Sequence, residues 1–169
     1  MKILLISDTH SHLDEGIISN IKEADEVWHA GDIGNPIVEK KISELKPLRA
    51  VYGNIDGHEL RRALPEEVCF RFNGMTIFMT HIGGYPGRYQ KGIKEKLMEL
   101  KPDIFICGHS HILKVIYDKN LNLLHMNPGA AGLEGFHQIR TMLRFEINEG
   151  KIEKLEIIEL GKRGSVKKA

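Results

Sequence analysis

At 169 residues, with 41% hydrophobic and 28% charged residues and a formal net charge of +1, the chain has the make-up of one soluble globular domain. That balance gives no global reason to expect binding to nucleic acid or a membrane surface, and no stretch approaches the roughly 20 apolar residues that span a bilayer. The two cysteines, Cys69 and Cys107, lie in apolar strand-like runs without paired spacing, so buried free thiols in a reducing compartment are expected.

Met1-Lys2 precedes a brief apolar run, but Asp8 interrupts it before any cleavage site, so a cytoplasmic protein is expected. The run Ile3-Leu4-Leu5-Ile6 suits a strand buried on both faces, as in a parallel sheet covered by helices. It opens into Asp8-Thr9-His10, where strand alternation would put the carboxylate and the imidazole on one side. Ile17, Ile18, Ile21 and Ala24 then fall at helical spacing, with Asp14 and Glu15 near the start where the helix dipole favours acids.

A second run, Val27-Trp28-His29-Ala30, ends in Gly31-Asp32. Asn35-Pro36 reads as an N-cap followed by proline at the first helical position, with Ile37, Ile42 and Leu45 as the expected apolar side. Arg49-Ala50-Val51-Tyr52 runs into Gly53-Asn54. Residues 68–72 and 75–79 flank Asn73-Gly74, which supplies the two positive-φ positions of a type I′ β-hairpin. The second strand ends at Thr80-His81. A glycine-rich loop follows, then a helix with Ile93, Leu97 and Leu100 inward.

Ile104-Phe105-Ile106-Cys107 leads into Gly108-His109-Ser110-His111. Beyond it the pattern is mostly β: residues 113–117 and 121–125 as a hairpin, then alternation at Leu143, Phe145 and Ile147 and a return over residues 152–160. The expected fold class is α/β, with two packed mixed β-sheets flanked by helices in an α/β/β/α sandwich. Residues 1–161 would form the single domain, and 162–169 a polar, disordered tail.

Five apolar runs therefore end in side chains able to bind metal: Asp8 and His10, then Asp32, Asn54, His81, and finally His109 and His111. Ligands bind outside the carboxyl ends of strands in α/β sheets, so five runs obeying that rule point to one site. Gly31, Gly53 and Gly108 each precede a candidate ligand, where a missing Cβ would let the backbone lie close to an ion.

Asp-x-His, Gly-Asp, Gly-Asn, a later lone His and Gly-His-x-His, in this order, resemble the calcineurin-like metallophosphoesterase superfamily. Length, Gly53-Asn54-Ile55-Asp56 and Asn127-Pro128-Gly129 are most similar to its small YfcE-type phosphodiesterase branch. The resemblance implies two divalent ions. One would be held by Asp8, His10, Asp32 and His111, the other by Asp32, Asn54, His81 and His109, with Asp32 bridging. Manganese is the first choice, with nickel, zinc or iron as alternatives. Oxygen and nitrogen donors without thiolate agree with that set.

Two such ions bring four positive charges against two negative ones from Asp8 and Asp32, so the site would attract a small anionic phosphoester. A phosphodiesterase is expected, working by in-line attack of a metal-bridging hydroxide with Asp32, Asn54 and His81 acting through the metals. Many superfamily members carry a histidine general acid directly after the Asn; here Ile55 stands there and cannot move a proton. His58 is the weaker substitute. Asn35, where larger relatives often have an acid, is read as the helix cap.

Arg88 is the candidate substrate contact, Arg61 and Arg62 are read as solvating a helix, and Asp56 as either capping the turn after Asn54 or, by preference, orienting a ligand. His29 is expected to be a buried, hydrogen-bonded support, and His12, His125 and His137 surface or structural residues. Asn127-Pro128-Gly129 is read as a turn propping the site. The rival reading is a non-catalytic scaffold like the retromer subunit of the same fold, in which ligand losses would be expected; none of the seven is missing. Nucleic acid is expected only as a phosphodiester substrate, and the resemblance also suggests a homodimer or tetramer.

Overall fold

The opening apolar run sets the layering. In the computed structural model, which describes residues 1–165, it forms strand β1 (Lys2–Ile6). Ile3 and Leu5 enter an apolar cluster between two sheets, whereas Leu4 and Ile6 enter another beneath helices. A strand covered on both faces has no solvent side to mark with polar residues, which is why the run shows no alternation.

From β1 the chain passes through α1 (Glu15–Glu23), β2 (Glu26–His29), α2 (Pro36–Leu45), β3 (Leu48–Ala50) and α3 (His58–Ala63). The hairpin β4 (Glu67–Phe72) and β5 (Met75–Thr80) follows. A short ribbon, β6 (Gly84–Tyr85) and β7 (Arg88–Tyr89), then leads to α4 (Ile93–Leu100) and β8 (Ile104–Ile106). Strands β9 (Leu113–Asp118), β10 (Leu123–Pro128), β11 (Ile139–Asn148) and β12 (Lys151–Lys162) complete the two sheets.

One sheet has the order β12-β11-β1-β2-β3 and the other β4-β5-β8-β10-β9. Each is mixed. In the first, β1, β2 and β3 run parallel; in the second, β5, β8 and β10 do, with antiparallel strands outside them. Ile17, Ile21, Val38, Ile42 and Leu60 carry three helices onto the outer face of the first sheet, while Ile93 and Leu97 carry α4 onto Phe78 and Phe105 of the second. The expected α/β/β/α sandwich is what forms. Trp28 keys the sheets together, edge-on to Phe70 and Phe72 of β4 and to Phe145 of β11 at 5.2, 5.4 and 5.7 Å between ring centroids. Its indole N–H donates to Glu26 at 2.9 Å, so burying it strands no donor.

Local signals act as their chemistry requires. Asn35 caps α2 by accepting from the N–H of Ile37, and Asn73 and Gly74 take φ +44 and +88 in the β4–β5 turn. Other expectations shift. Helix α2 buries the i, i+4 pair Val38 and Ile42, leaving Ile37 56% and Leu45 37% exposed, because Val38 rather than Ile37 lies on the face with Ile42. Leu100 is exposed at the end of α4. Cys69 is exposed on the edge strand β4, so only Cys107 is the expected buried thiol; burial pushes it to about 12.

The β9–β10 hairpin turns over residues 119–122, which moves Asn127-Pro128 out of the expected turn and into β10. Order also continues beyond residue 161: β12 includes Lys162, and a 3-10 turn follows at Arg163–Ser165. There Arg163 donates its backbone N–H to Gln138 and its guanidinium to the carbonyls of His137 and Leu133. Residues 166–169 of the expected tail lie outside the described residues. No helix among the described residues is long and apolar enough to cross a membrane.

His125 is buried on β10, its Nε2 3.0 Å from the Gly84 carbonyl and its ring against Phe105. Burial holds its pKa down at about 4. The sign follows: an unfolded histidine near 6.5 takes a proton before the folded one does, so this contribution is present above pH 6.5 and lost as pH falls towards 4. From pH 7 to pH 5 the loss is about 2 kcal/mol for a shift of this size. Urea unfolding should therefore show a steeper fall in stability over that interval for the parent than for His125→Gln. Equal falls would contradict the assignment.

Candidate metal centre

The expected carboxyl-end rule holds for five parallel strands at once. Asp8 and His10 follow β1, Asp32 follows β2, Asn54 follows β3, His81 follows β5, and His109 and His111 follow β8. The carriers are loops, not strand ends. β1 stops at Ile6, and Asp8 and His10 take φ +54 and +45, so they converge by a left-handed turn rather than by strand alternation. Asp32, His109 and His111 also lie in the left-handed region, at φ +54, +67 and +59. For residues with a Cβ this costs about 1 kcal/mol or more each. Five such residues at one place mark a constrained site.

The loops are tied to one another. The N–H groups of Asp8, His10 and Ser11 donate to the carbonyls of Gly31, Asp32 and Ile33. Asp56, 3% exposed, accepts from the N–H groups of Ile33, Gly34 and Gly53 at 3.2, 2.7 and 2.8 Å, which joins the loop of Asp32 to that of Asn54. Glycines let the loops meet. A Cβ on Gly53 would sit 2.1 Å from Asp32 Oδ1, and one on Gly31 2.6 Å from the His81 ring. Each glycine therefore serves close packing against a neighbouring side chain, a nearer reason than approach to an ion.

Each carboxylate commits one oxygen to this scaffold. Asp8 Oδ2 accepts from the Ser7 hydroxyl at 2.7 Å and the His109 N–H at 3.2 Å; Asp32 Oδ1 accepts from the Ile55 N–H at 3.0 Å. The other oxygens turn to the imidazoles. Asp8 Oδ1 lies 3.2 Å from His111 Nε2 and 3.9 Å from the Nε2 atoms of His10 and His81. Asp32 Oδ2 lies 3.2 Å from His81 Nε2 and 3.5 Å from His10 Nε2, which places it between two groups, Asp8–His10–His111 and Asp32–His81–His109. Within each group the ligand-capable atoms fall inside 4.8 Å of one another.

Asp8 Oδ1, His10 Nε2 and His81 Nε2 are buried without a hydrogen-bond partner. Orphaned atoms of this kind are costly unless something absent from the polypeptide satisfies them. His81 Nδ1 lies 2.7 Å from the Ala30 carbonyl, which can only accept, so the ring presents its Nε2 lone pair to the cluster. Carboxylate oxygen and imidazole nitrogen fit divalent first-row cations. Asn54 joins through its carboxamide oxygen, 2.9 Å from His109 Nδ1.

Burial would raise the Asp8 and Asp32 carboxyls, but the imidazoles beside them overcome it and hold both below the usual carboxylate range. Asp8 and Asp32 in turn hold His10 and His81 above the ordinary histidine value, in His81 against its burial. Burial keeps His109 lower. The site is thus anionic at its carboxylates and poised to exchange protons for cations.

A cleft of about 360 Å³ opens beside Asn54 and His81, lined also by Tyr52, Arg61, Lys91 and Lys96. Arg88 is not among its lining residues; it lines another cavity with Tyr89, Lys94 and Asp118. His58 begins α3 exposed and away from the cleft lining, and Ile55 is 45% exposed. Arg61 does more than solvate its helix: its guanidinium donates to the carbonyls of Gly53, Asn54 and Asp56 and packs over Tyr52. His29 is the expected support, accepting from the Gly31 N–H through Nδ1 and meeting Thr9 Oγ1 through Nε2 at 2.9 Å. Asn127 props the site from β10, donating to Gly108 and Ser110. Ser7 and Thr9 carried no signal beyond their place between an apolar run and a candidate ligand.

A model of the calcineurin-like phosphoesterase superfamily domain matches residues 1–150. The chain belongs to this superfamily. Among curated members, a probable metallophosphoesterase of Methanothermobacter thermautotrophicus is 28% identical over 137 residues, covering 77% of each chain. A protein named a phosphodiesterase in Methanocaldococcus jannaschii is 27% identical over 150 residues, covering 76% of this chain and 83% of its own. Vps29 of Entamoeba histolytica, crystallised as a zinc complex, superposes with a TM-score of 0.72 at 18% identity, covering 94% of this chain and 99% of its own. At that identity the likeness speaks for a shared phosphoesterase-type fold. Superfamily membership implies divalent cations, which is consistent with the two donor groups.

Proposed function

We propose that this protein is a metal-dependent phosphoesterase that prefers phosphodiesters and uses a pair of divalent cations, manganese first. The observation that carries this reading is the set of buried, unpartnered donors, Asp8 Oδ1, His10 Nε2 and His81 Nε2, aimed into one cluster. Asp8, His10 and His111 would hold one ion; His81, His109 and Asn54 would hold the other; and Asp32 Oδ2, lying between the groups, would serve both. When bound, the cations supply Lewis acidity toward a phosphoryl oxygen and acidify water to near neutral pH. The name of the Methanocaldococcus relative supports the diester preference.

The chain's own residues do the rest. Arg61, Lys91 and Lys96 line the adjoining cleft; Lys96 pairs with Glu67, which leaves Lys91 better placed to meet an anionic ester. The position after Asn54, where a histidine general acid would stand, is Ile55, which cannot protonate a leaving oxygen, and His58 lies away from the lining; Tyr52 and Lys91 are proton-bearing side chains left there. A scaffold without catalysis would tolerate loss of donors, and the complete donor set speaks against it.

Reconstituting the metal-free protein with manganese, nickel or zinc and assaying aryl and alkyl monoesters, diesters and cyclic nucleotides tests this directly. Activity should require metal and favour diesters. Rates should fall about 10²–10⁴-fold from aryl to alkyl leaving groups, the range that general acid catalysis would otherwise supply. Equal aryl and alkyl rates, or undiminished activity without metal, would overturn the reading.

A further inference from the structure

His137 follows the last parallel strand by a long loop and belongs to none of the motifs above. Its ring meets that of His111 edge-on, 5.2 Å between centroids, with the two Nδ1 atoms 3.2 Å apart. Its other nitrogen, Nε2, lies 3.0 Å from the carbonyl of Gly132. A carbonyl only accepts, so Nε2 of His137 carries the proton and, in the neutral ring, Nδ1 is an acceptor. The partner atom, His111 Nδ1, must then be the donor. That leaves the Nε2 lone pair of His111 facing Asp8 Oδ1 at 3.2 Å.

Asp8 Oδ1 is itself buried without a hydrogen-bond partner, so both atoms are left to face a cation. The loop carrying His137 is also fitted to this ring. Gly135 takes φ +117, and a Cβ there would lie 2.2 Å from His111 Nδ1, so the backbone can press against the imidazole only at a glycine. The loop is held in turn by the Gly132 N–H donating to the Asp8 carbonyl and by Arg163 on the carbonyls of Leu133 and His137.

We infer that His137 is a positioning residue that fixes His111 in the Nδ1–H form, through the chain Gly132 carbonyl, His137, His111, so that Nε2 is free for a cation held with Asp8 and His10. The inference rests on the metal reading for its purpose, not for its geometry. Partners that orient a ligating histidine typically change metal affinity 10–100-fold when removed.

Two variants decide it. His137→Gln can still accept from His111 and donate to Gly132, whereas His137→Phe can do neither. Long-range ¹H–¹⁵N correlation spectra of the metal-free protein at neutral pH should show His111 as the Nδ1–H form in the parent and in His137→Gln, and as a mixture in His137→Phe. Manganese titrations should show one of two sites weakened about 10–100-fold in His137→Phe and near the parent in His137→Gln. An unchanged His111 tautomer in a folded His137→Phe, or equal weakening by both substitutions, overturns the role of His137. A parent that takes up no manganese but shows the expected tautomer overturns the metal reading instead and leaves the chain of imidazoles standing.

Discussion

Asp32→Ala is expected to abolish phosphoester hydrolysis, by about 10³-fold or more, and to reduce cation uptake at both donor groups together. The reason is its place. Its Oδ2 lies 3.2 Å from His81 Nε2 and 3.5 Å from His10 Nε2, residues of different groups, while Oδ1 is engaged by the Ile55 N–H. Asp8 Oδ1 also faces both groups, but at 3.9 Å from His10 Nε2 and from His81 Nε2, and its other oxygen braces His109 rather than the loop after Asn54. Removing any single imidazole should weaken one site, whereas removing this carboxylate should weaken two. Metal analysis after dialysis, with turnover measured on an aryl diester, reads both effects. A variant retaining two ions per chain would contradict the bridging assignment.

The second large effect is on folding. Asp56→Ala should lower stability by about 3 kcal/mol and the melting temperature by roughly 10 °C. Its carboxylate is nearly sealed from solvent and is the acceptor for three backbone N–H groups from two loops. Alanine would leave those donors without a partner where water has little access, which costs more than the bonds themselves contribute. Because the loops it joins carry Asp32 and Asn54, cation binding should weaken as well. Asp56→Asn, which keeps one acceptor oxygen, should fall between parent and alanine. Differential scanning calorimetry measures the first effect, and an unchanged melting temperature for Asp56→Ala would rule it out.

Much of this was legible in the chain because burial and chain punctuation act locally. A run such as Ile3-Leu4-Leu5-Ile6 reads as a two-sided strand, and Asn73-Gly74 reads as a hairpin, since neither depends on what packs nearby. Donors placed after apolar runs were equally visible, because parallel strands all deliver their carboxyl ends to one side. What stayed hidden was set by contacts between distant segments. Arg61 looks like one more cation on a short helix, yet it grips three carbonyls of the Asn54 loop. His137 has no periodicity or motif to mark it, and only the fold brings it to His111.

The same holds for the glycines. Their positions before candidate ligands were plain, but the reason for Gly53 is the Asp32 carboxylate pressed against it from another loop. Left-handed backbone at Asp8, His10, Asp32, His109 and His111 was also not read in advance: Asp and His enter that region more readily than most residues with a Cβ, but only a small fraction of them do. Strain of that kind is imposed by surroundings, and here the surroundings are the interlocked loops of the site.

The most direct measurement is anomalous diffraction from crystals grown with manganese. Two peaks are predicted, one in contact with Asp8, His10 and His111 and the other with His81, His109 and Asn54, both within reach of Asp32. A lone peak, or peaks bound outside these seven side chains, would contradict the account.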